Sequence, residues 1–481
     1  MEKSSNASLE FQKYVNSVIE NQETSFDISS LPFASEISIS ELANAVGKIK
    51  NIESLNLSNY RLNSAFIKAA NSIVNGNIVD NVISMLPNLK SLILDNCALN
   101  TLSIDHFQAQ LKTLSLRNNP AFSFIYIHPS VPLEYLDLSL DAPINPTSET
   151  PTKVFIEVNP DNFPKTLQTL VCSNNPSFTA FFIRLNQENT FGKLNTLYAN
   201  GAGILGNELS LLFGEELTNL KNLYLQNNEI QNITPLQNVV NLEILNLAGN
   251  KIQAITYIDL NKNLSSLNLV DNQIENISPL SDLKELQDLR LSNNILTDIS
   301  LLEKLTHLSI LHLNNCQLKS TQLSAIANLT QLTELKLRDN ALENIDFVSK
   351  LTKLQVLELT NNQIADITPL ETYYRNISPT ATIELIDLQN NKIREIEPFA
   401  DFERLSFLYL QGNPVKDYPL ERLATLTVPK LKTFFGEPRE ELNNQAKLIL
   451  FGNSHVGKTT LKRVLKGEPI DEKEKDRKSV V

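Results

Sequence analysis

The feature that most constrains this chain is the pattern Leu-x-x-Leu-x-Leu-x-x-Asn-x-Leu, which returns in register along most of its length. A clean copy is Leu220-x-x-Leu223-x-Leu225-x-x-Asn228-x-Ile230, and Asn250, Asn272, Asn294, Asn340, Asn362, Asn391 and Asn413 occupy the same slot as Asn228. From Asn228 the slot advances by 22 residues four times to reach Cys316, then by 24, 22, 29 and 22. Weaker copies centre on Tyr60, Cys97, Asn119, Asp141, Asn175 and Ala202, which makes about fifteen units. In Leu-x-Leu the side chains have period two, so both leucines face one side of a short strand. An Asn at the bend that follows is able to donate and accept at once, satisfying backbone groups where the strand ends. One unit cannot bury its own leucines. Stacked units bury them against each other and join their strands into a parallel sheet.

Composition follows from those slots. Of 481 residues, 78 are Leu and 57 are Asn, against 13 Gly and no Trp. Apolar residues make up 42% and charged residues 20%, which suits a large core and disfavours disorder. The net charge of −12 argues against a nucleic-acid partner, because phosphate binding draws on clustered cations. No apolar run approaches the length of about 18 residues needed to cross a bilayer. The start, Met1 to Asn6, lacks the apolar core of a secretory signal, so a cytoplasmic protein is expected. Three cysteines exclude a disulfide framework. Cys97 and Cys316 stand in the Asn slot and Cys172 in a strand Leu position, so all three are expected as reduced, buried thiols.

Over residues 51–435 the chain resembles a leucine-rich repeat protein. The resemblance implies an α/β solenoid, a horseshoe whose concave side is a parallel sheet. The segments Ile230-x-x-Ile233-Thr234-Pro235-Leu236, Ile274-x-x-Ile277-Ser278-Pro279-Leu280, Ile364-x-x-Ile367-Thr368-Pro369-Leu370 and Ile393-x-x-Ile396-Glu397-Pro398-Phe399 suggest the 22-residue subclass. Proline there should stop a strand or a long helix and favour a tight turn on the convex side. Residues 1–50 do not show the repeat. Phe11, Tyr14, Val15, Val18 and Ile19 follow helical spacing, and Ser40 is placed to cap a second helix over Glu41–Ile49, so a helical N-terminal cap is expected. The slot spacing stretches to 37 residues after Tyr60, with helical patterning in Ala65–Asn75, and to 34 after Asp141. Both stretches read as loops or extended units.

After the last clear copy at Asn413, Leu431-x-x-Phe434 reads as a final half-strand, and residues 436–445 read as a linker. The grammar then changes. Ala446–Phe451 (AKLILF) is an apolar run of the kind expected for a buried parallel strand. It feeds Gly452-Asn453-Ser454-His455-Val456-Gly457-Lys458-Thr459, and a helix-prone stretch, Thr460–Lys466, follows. Strand, Gly-x-x-x-x-Gly-Lys-Thr and helix in that order form a phosphate-loop signature. Gly452 and Gly457 permit a backbone that wraps a phosphate with N–H groups. Lys458 offers a cation to the phosphates, Thr459 a hydroxyl to Mg2+, and the helix N-terminus adds partial positive charge.

Repeats followed by this loop resemble the Roco family, in which a Ras-like Roc domain and then a COR domain succeed leucine-rich repeats. The wording Lys447-Leu-Ile-Leu-Phe-Gly452-Asn-Ser-His-Val-Gly457-Lys458-Thr459-Thr460-Leu461, with Gly467-Glu468-Pro469 after the helix, is similar to Roc sequences; Ser454 and His455 stand where many relatives carry smaller residues. The resemblance implies GTP or GDP and Mg2+ as cofactors, bound by residues Gly452 to Thr460. Residues 446–481 hold only the first strand, loop and helix of such a domain. Phosphoryl transfer needs further metal supports and a positioned water, so this chain alone is expected to hydrolyse no GTP and to bind nucleotide weakly or not at all.

The residue between the two strand leucines should face the concave side. Along the array these are Asn56, Ile93, Ser115, Asp137, Val171, Tyr198, Tyr224, Asn246, Asn268, Arg290, His312, Lys336, Glu358, Asp387 and Tyr409, spread over an arc of about 70 Å. Two groups stand out as candidate partner contacts, since aromatic and Arg side chains are enriched at interface hot spots. One is Tyr198 with Tyr224. The other is Arg290, His312, Lys336 and Arg338 beside Glu334 and Glu358. The five histidines are dispersed and offer no metal-ligand spacing, and neither Gly-x-Ser-x-Gly nor His-Glu-x-x-His occurs. The expectation is therefore a protein-interaction scaffold resembling the N-terminal part of a Roco protein. The alternatives are a GTP-hydrolysing Roco protein seen as a fragment, or an internalin-like bacterial effector.

Overall fold

The computed structural model describes residues 2–416, apart from residues 50, 61, 63–85, 105–109, 143–155, 160, 162, 187–189, 207, 214–216, 378–381 and 403–404. The expected helix at Ala65–Asn75, the half-strand at Leu431–Phe434, the linker and the phosphate-loop segment lie outside the described residues.

The repeats form one parallel sheet of 16 strands. Its strands are β1 (Ser25–Asp27), β2 (Ser54–Asn56), β3 (Ser91–Ile93), β5 (Thr113–Ser115), β7 (Tyr135–Asp137), β8 (Thr169–Val171), β9 (Thr196–Tyr198) and β10 (Asn222–Tyr224), followed by β11 (Ile244–Asn246), β12 (Ser266–Asn268), β13 (Asp288–Arg290), β14 (Ile310–His312), β15 (Glu334–Lys336), β16 (Val356–Glu358), β17 (Leu385–Asp387) and β18 (Phe407–Tyr409). Two more strands, β4 (Thr101–Ile104) and β6 (Phe124–Ile127), pair with each other in a small second sheet. Strand neighbours follow chain order without a slip: Leu223 pairs with Leu245, Leu245 with Leu267, and Leu267 with Leu289. That register puts every central leucine in the core, where Leu223, Leu245, Leu267, Leu289 and Leu311 are fully buried. Each such burial contributes roughly 1.5–3 kcal/mol and depends on the neighbouring unit.

The asparagine slot works as a hydrogen-bond clamp. Asn250 Nδ2 donates to the Leu225 and Leu247 carbonyls at 3.0 and 2.9 Å, while its Oδ1 accepts from the Ile230 amide at 3.1 Å. Asn228, Asn272, Asn294, Asn362 and Asn391 repeat the scheme, each joining its own bend to the unit before it. The residue just ahead of the slot is left-handed: Asn227, Asp271, Asn293, Asn315, Asp339, Asn361 and Asn390 have φ between 51° and 59°, and Gly249 and Gly412 take the same place. Asn, Asp and Gly are the residues that tolerate this region best. A Cβ on Gly249 or Gly412 would strike the side-chain amide of Asn227 or Asn390 in the unit before.

Length differences between units are absorbed opposite the sheet. From Asn228 on, units of 22 residues close with one 3-10 turn, as at Thr234–Asn238 and Ser278–Asp282, each with its proline in the first turn, whereas the 22-residue units after Cys97 and Asn119 carry β4 and β6 there. The 24-residue step from Cys316 lengthens that turn to Ser320–Asn328. The 29-residue step after Asn362 carries an α-helix over Thr368–Ile377. Pro369 was expected to oppose a helix here; at the first turn it costs nothing, because those N–H groups have no intrahelical acceptor.

The first fifty residues differ from expectation in three ways. They contain β1, which pairs in register with β2, Phe26 opposite Leu55. Helix α1 (Glu2–Glu20) buries Ala7, Phe11, Val15 and Val18, whereas Ile19 is 41% exposed. Phe11 meets Phe26 edge to face at 6.3 Å, and the Tyr14 hydroxyl donates to the Asp27 carbonyl at 2.9 Å. Helix α2 (Ile39–Lys48) is capped by Ser38 rather than Ser40. The Ser38 hydroxyl accepts from the Glu41 amide and the Glu41 carboxylate accepts from the Ser38 amide, a closed capping box that Ser40, two residues further on, cannot make with Glu41.

Candidate functional site: the open face of the sheet

Each three-residue strand buries its middle residue, and most leave the two flanking ones half-buried on the face away from the core; Ser115 and Asp137 are buried there, and Ser25 and Phe407 are exposed. Residues two places beyond continue that face, because the side-chain period is two. The open face is thus three residues deep on every strand. The single stripe expected from the sequence is its middle column, and Asp288 and Glu334 belong to the column before it. Alternation around the stripe residues was the signal available for these.

Register brings the two expected groups together. Tyr198 and Tyr224 lie opposite each other on β9 and β10, with ring centroids 4.4 Å apart and planes 7° apart. Burial, then the adjoining Tyr198 hydroxyl, raises the Tyr224 phenol above its usual pKa. Further toward the N-terminus, Tyr135 is pushed up to about 12 by burial and by Asp137. Burial also raises the Asp95 carboxyl, against a 2.5 Å hydrogen bond from the Ser115 hydroxyl, and Asp137 adds repulsion.

The charged group forms a network that satisfies itself. Arg290 donates from Nε and Nη2 to both carboxylate oxygens of Asp288, at 2.9 and 3.1 Å. His312 Nε2 lies 2.8 Å from Glu334 Oε1, and Lys336 Nζ is 3.0 Å from both Glu334 and Glu358. Burial holds His312 below the usual imidazole range despite Glu334, so the ring is neutral and its Nε2–H donates to the carboxylate. Burial opposes ionisation of Glu334, yet hydrogen bonds from Lys336 and His312 keep its carboxyl below the ordinary value. Arg338 lies at the exposed rim, its guanidinium outside this network.

Between Asp137 on β7 and the charged network the face changes character. The outward positions of β8 through β12, continued two residues past each strand, carry no Asp, Glu, Lys or Arg. Several carboxamides line that stretch. Asn200 Oδ1 accepts from the Gln226 amide at 3.1 Å, Asn268 Oδ1 from the Val270 amide at 3.1 Å, and Gln226 Oε1 from Asn246 Nδ2 at 2.6 Å.

Among the described residues no group of three or more His, Cys, Asp or Glu is placed to hold a metal ion, and no helix is long and apolar enough to cross a membrane. Cys97, Cys172 and Cys316 are free and buried. The phosphate-loop residues Gly452, Asn453, Ser454, His455, Val456, Gly457, Lys458, Thr459 and Thr460 lie outside the described residues.

A family profile for leucine-rich repeats in two copies matches residues 218–261 and 330–372. No curated protein matches the chain. Among solved structures, an internalin, InlF, from Listeria monocytogenes is 23% identical at a TM-score of 0.49, covering 75% of this chain and 90% of its own. A leucine-rich repeat protein from Leptospira interrogans is 18% identical at 0.48, covering 82% and 96%. The functional domain of InlJ from Listeria monocytogenes, which includes a cysteine ladder, is 17% identical at 0.48, covering 77% and 75%. The matched segments contain β10, β11, β15 and β16, whose leucine and asparagine slots recur in register across the sheet, and the chain is accordingly a leucine-rich repeat protein.

Proposed function

We propose that this protein is a recognition scaffold that binds a partner protein on the open, concave face of its sheet, with Tyr198 and Tyr224 as the anchor. The observation that carries the reading is the parallel stack of two half-buried tyrosines within a part of the open face, β8 to β12, that carries no Asp, Glu, Lys or Arg. Large, stiff aromatic surfaces lose little entropy on contact and dominate binding hot spots. Arg290, His312, Lys336 and Glu358 contribute less in this reading, because their polar groups already have partners and a newcomer would have to displace them. Arg338 supplies a cation at the rim. Packing of α1 on β1 supports a capping role for residues 1–50, and three reduced thiols suit a cytoplasmic setting. The test is affinity capture with the wild-type chain and with Tyr198→Ala/Tyr224→Ala. Proteins retained by the first and lost by the second, then confirmed by titration of the purified pair, support the reading; equal retention by both overturns it.

We also propose, from the signature Gly452-x-x-x-x-Gly457-Lys458-Thr459 and its place after the repeats, that residues 452–460 contact a guanine nucleotide in a Roco-type arrangement, with Thr459 toward Mg2+. Titration of a fluorescent GDP analogue with Mg2+ tests it in a chain that carries a complete Ras-like domain after the repeats, since residues 446–481 by themselves are expected to bind weakly or not at all. Binding that disappears in Lys458→Ala supports the assignment, and binding unchanged by that substitution, or none at all, contradicts it.

A further inference from the structure

We infer that the part of the open face built by β8 to β12 docks an extended, uncharged segment of the partner polypeptide through that segment's backbone carbonyl oxygens. This rests on the reading of the open face as the recognition surface and adds the chemistry of what it recognises.

The carboxamides on this stretch have a fixed direction. A backbone N–H is satisfied by the oxygen of an Asn or Gln side chain and never by its nitrogen. The Gln226 and Val270 amides therefore fix Asn200 and Asn268 with Oδ1 inward, and Asn246 Nδ2 fixes Gln226 in the same sense. Their NH2 groups are left over. Among the described residues, Asn200 Nδ2, Gln226 Nε2 and Asn268 Nδ2 have no acceptor within hydrogen-bond distance. This stretch is thus rich in donors and poor in free acceptors. An interface that covered these donors without matching them would lose about 1–3 kcal/mol for each.

Charge decides which acceptor fits. The stretch carries no Asp, Glu, Lys or Arg. Asp137 on β7 bounds it on one side, the Asp288–Arg290 pair on β13 closes the other without net charge, and the whole chain carries a net charge of −12. A carboxylate ligand finds no free cation there and meets repulsion on the Asp137 side, and a cationic one meets outward donors. Neutral carbonyl oxygens remain, and an extended backbone supplies them at regular intervals. The five strands span about 19 Å at the usual spacing, the length of roughly six extended residues. At one side, the stacked rings of Tyr198 and Tyr224 give a flat apolar wall for a side chain of the same segment.

The test uses the full chain and a phage-displayed library of random decapeptides. Selected sequences are synthesised and their affinities measured by fluorescence anisotropy. The expected peptides are uncharged over a central run of about six residues. Asn200→Asp and Asn268→Asp keep the inward oxygen and swap the outward donor for an acceptor, so each should weaken binding at least about tenfold with the unfolding midpoint unchanged. Lys353→Ala, away from the open face, should have no effect. Methylation of the peptide's own amide nitrogens should be tolerated, since its carbonyls make the contacts. Selection of charged peptides, no selection at all, or affinities indifferent to both Asn→Asp changes would overturn the inference. If binding survives those changes but falls in Tyr198→Ala/Tyr224→Ala, the recognition face stands and only its backbone chemistry is wrong. If no open-face substitution alters binding, both fail.

Discussion

The thiol of Cys316 donates to the Leu291 carbonyl at 3.3 Å, the bond that the Asn294 side chain makes to Leu269 one unit earlier at 2.9 Å. What a thiol cannot do is present the amide oxygen that accepts the other half of the clamp. The Leu296 amide, which a slot asparagine would receive on Oδ1, falls back on the Cys316 backbone carbonyl at 3.4 Å. The Leu62 amide does the same with Cys97, at 3.2 Å. Cys316→Asn should therefore restore the clamp and raise stability by about 1 kcal/mol. Asn294→Ala should lower it by about 2 kcal/mol, because it strands the Ile274 amide and leaves the Leu269 carbonyl with Asn272 as its one donor. Denaturant melts of the two variants check both signs.

The thiols also set an alkaline limit. Burial pushes Cys97 and Cys316 up to about 12 and Cys172 well above its usual value. Burial likewise pushes Tyr60 and Tyr373 up to about 12. Groups raised on folding contribute stability that is intact below their unfolded pKa and is lost as pH climbs toward the folded one. The loss should begin near pH 8.5, where unfolded thiols ionise, and reach roughly 2 kcal/mol by pH 10 for each of Cys97 and Cys316. In the native protein at pH 8 all three thiols should be silent to a thiol reagent, and all three should react on unfolding.

On the acid side the charged network gives the opposite slope. His312 is held below, and Glu334 is also held below, their ordinary values. Groups lowered on folding contribute stability that is present above the unfolded pKa and lost as pH falls. Stability should fall first below about pH 6.5, where the unfolded His312 takes a proton that the folded, buried ring resists, and again below about pH 4.3, where the unfolded Glu334 does. The first step should vanish in His312→Gln, measured as the unfolding midpoint at pH 7.5 and pH 5.5.

The left-handed column ahead of the slot makes a conformational prediction. Asn293, with φ of 59°, donates from Nδ2 to Asp271 Oδ1 at 2.5 Å and accepts from Asn315 at 3.0 Å. Asn293→Gly keeps the backbone and loses only exposed side-chain bonds, whereas Asn293→Val forces a branched side chain into the left-handed region at a cost of at least about 1 kcal/mol. Thermal melts should rank wild type and Asn293→Gly together, above Asn293→Val.

Much of this was legible because the leucine and asparagine slots have fixed chemical jobs. Asn228 and Asn250 reveal the bend because no other side chain closes the same set of backbone groups as well. β1 was hidden because Phe26-x-Ile28 keeps the apolar alternation without leucine or asparagine, so the pattern passes unnoticed while the packing is retained. Ser38 and Ser40 are chemically alike, and the partner Glu41 at the third helical position is what distinguishes them. On the open face, the tyrosine pair and the charged group could be read from the spacing of the strands. The direction of each carboxamide could not, since it depends on backbone amides two residues or a whole unit away, such as Val270 for Asn268 and Gln226 for Asn200.

The most direct measurement places a photo-reactive benzophenone amino acid at position 224 on the open face and, in a separate chain, at position 353 away from it. Both chains are irradiated in extracts of the cells that make the protein. The account predicts a discrete protein crosslink from position 224 that is absent from position 353 and suppressed by Tyr198→Ala. Crosslinking from position 353 with none from position 224 would contradict it.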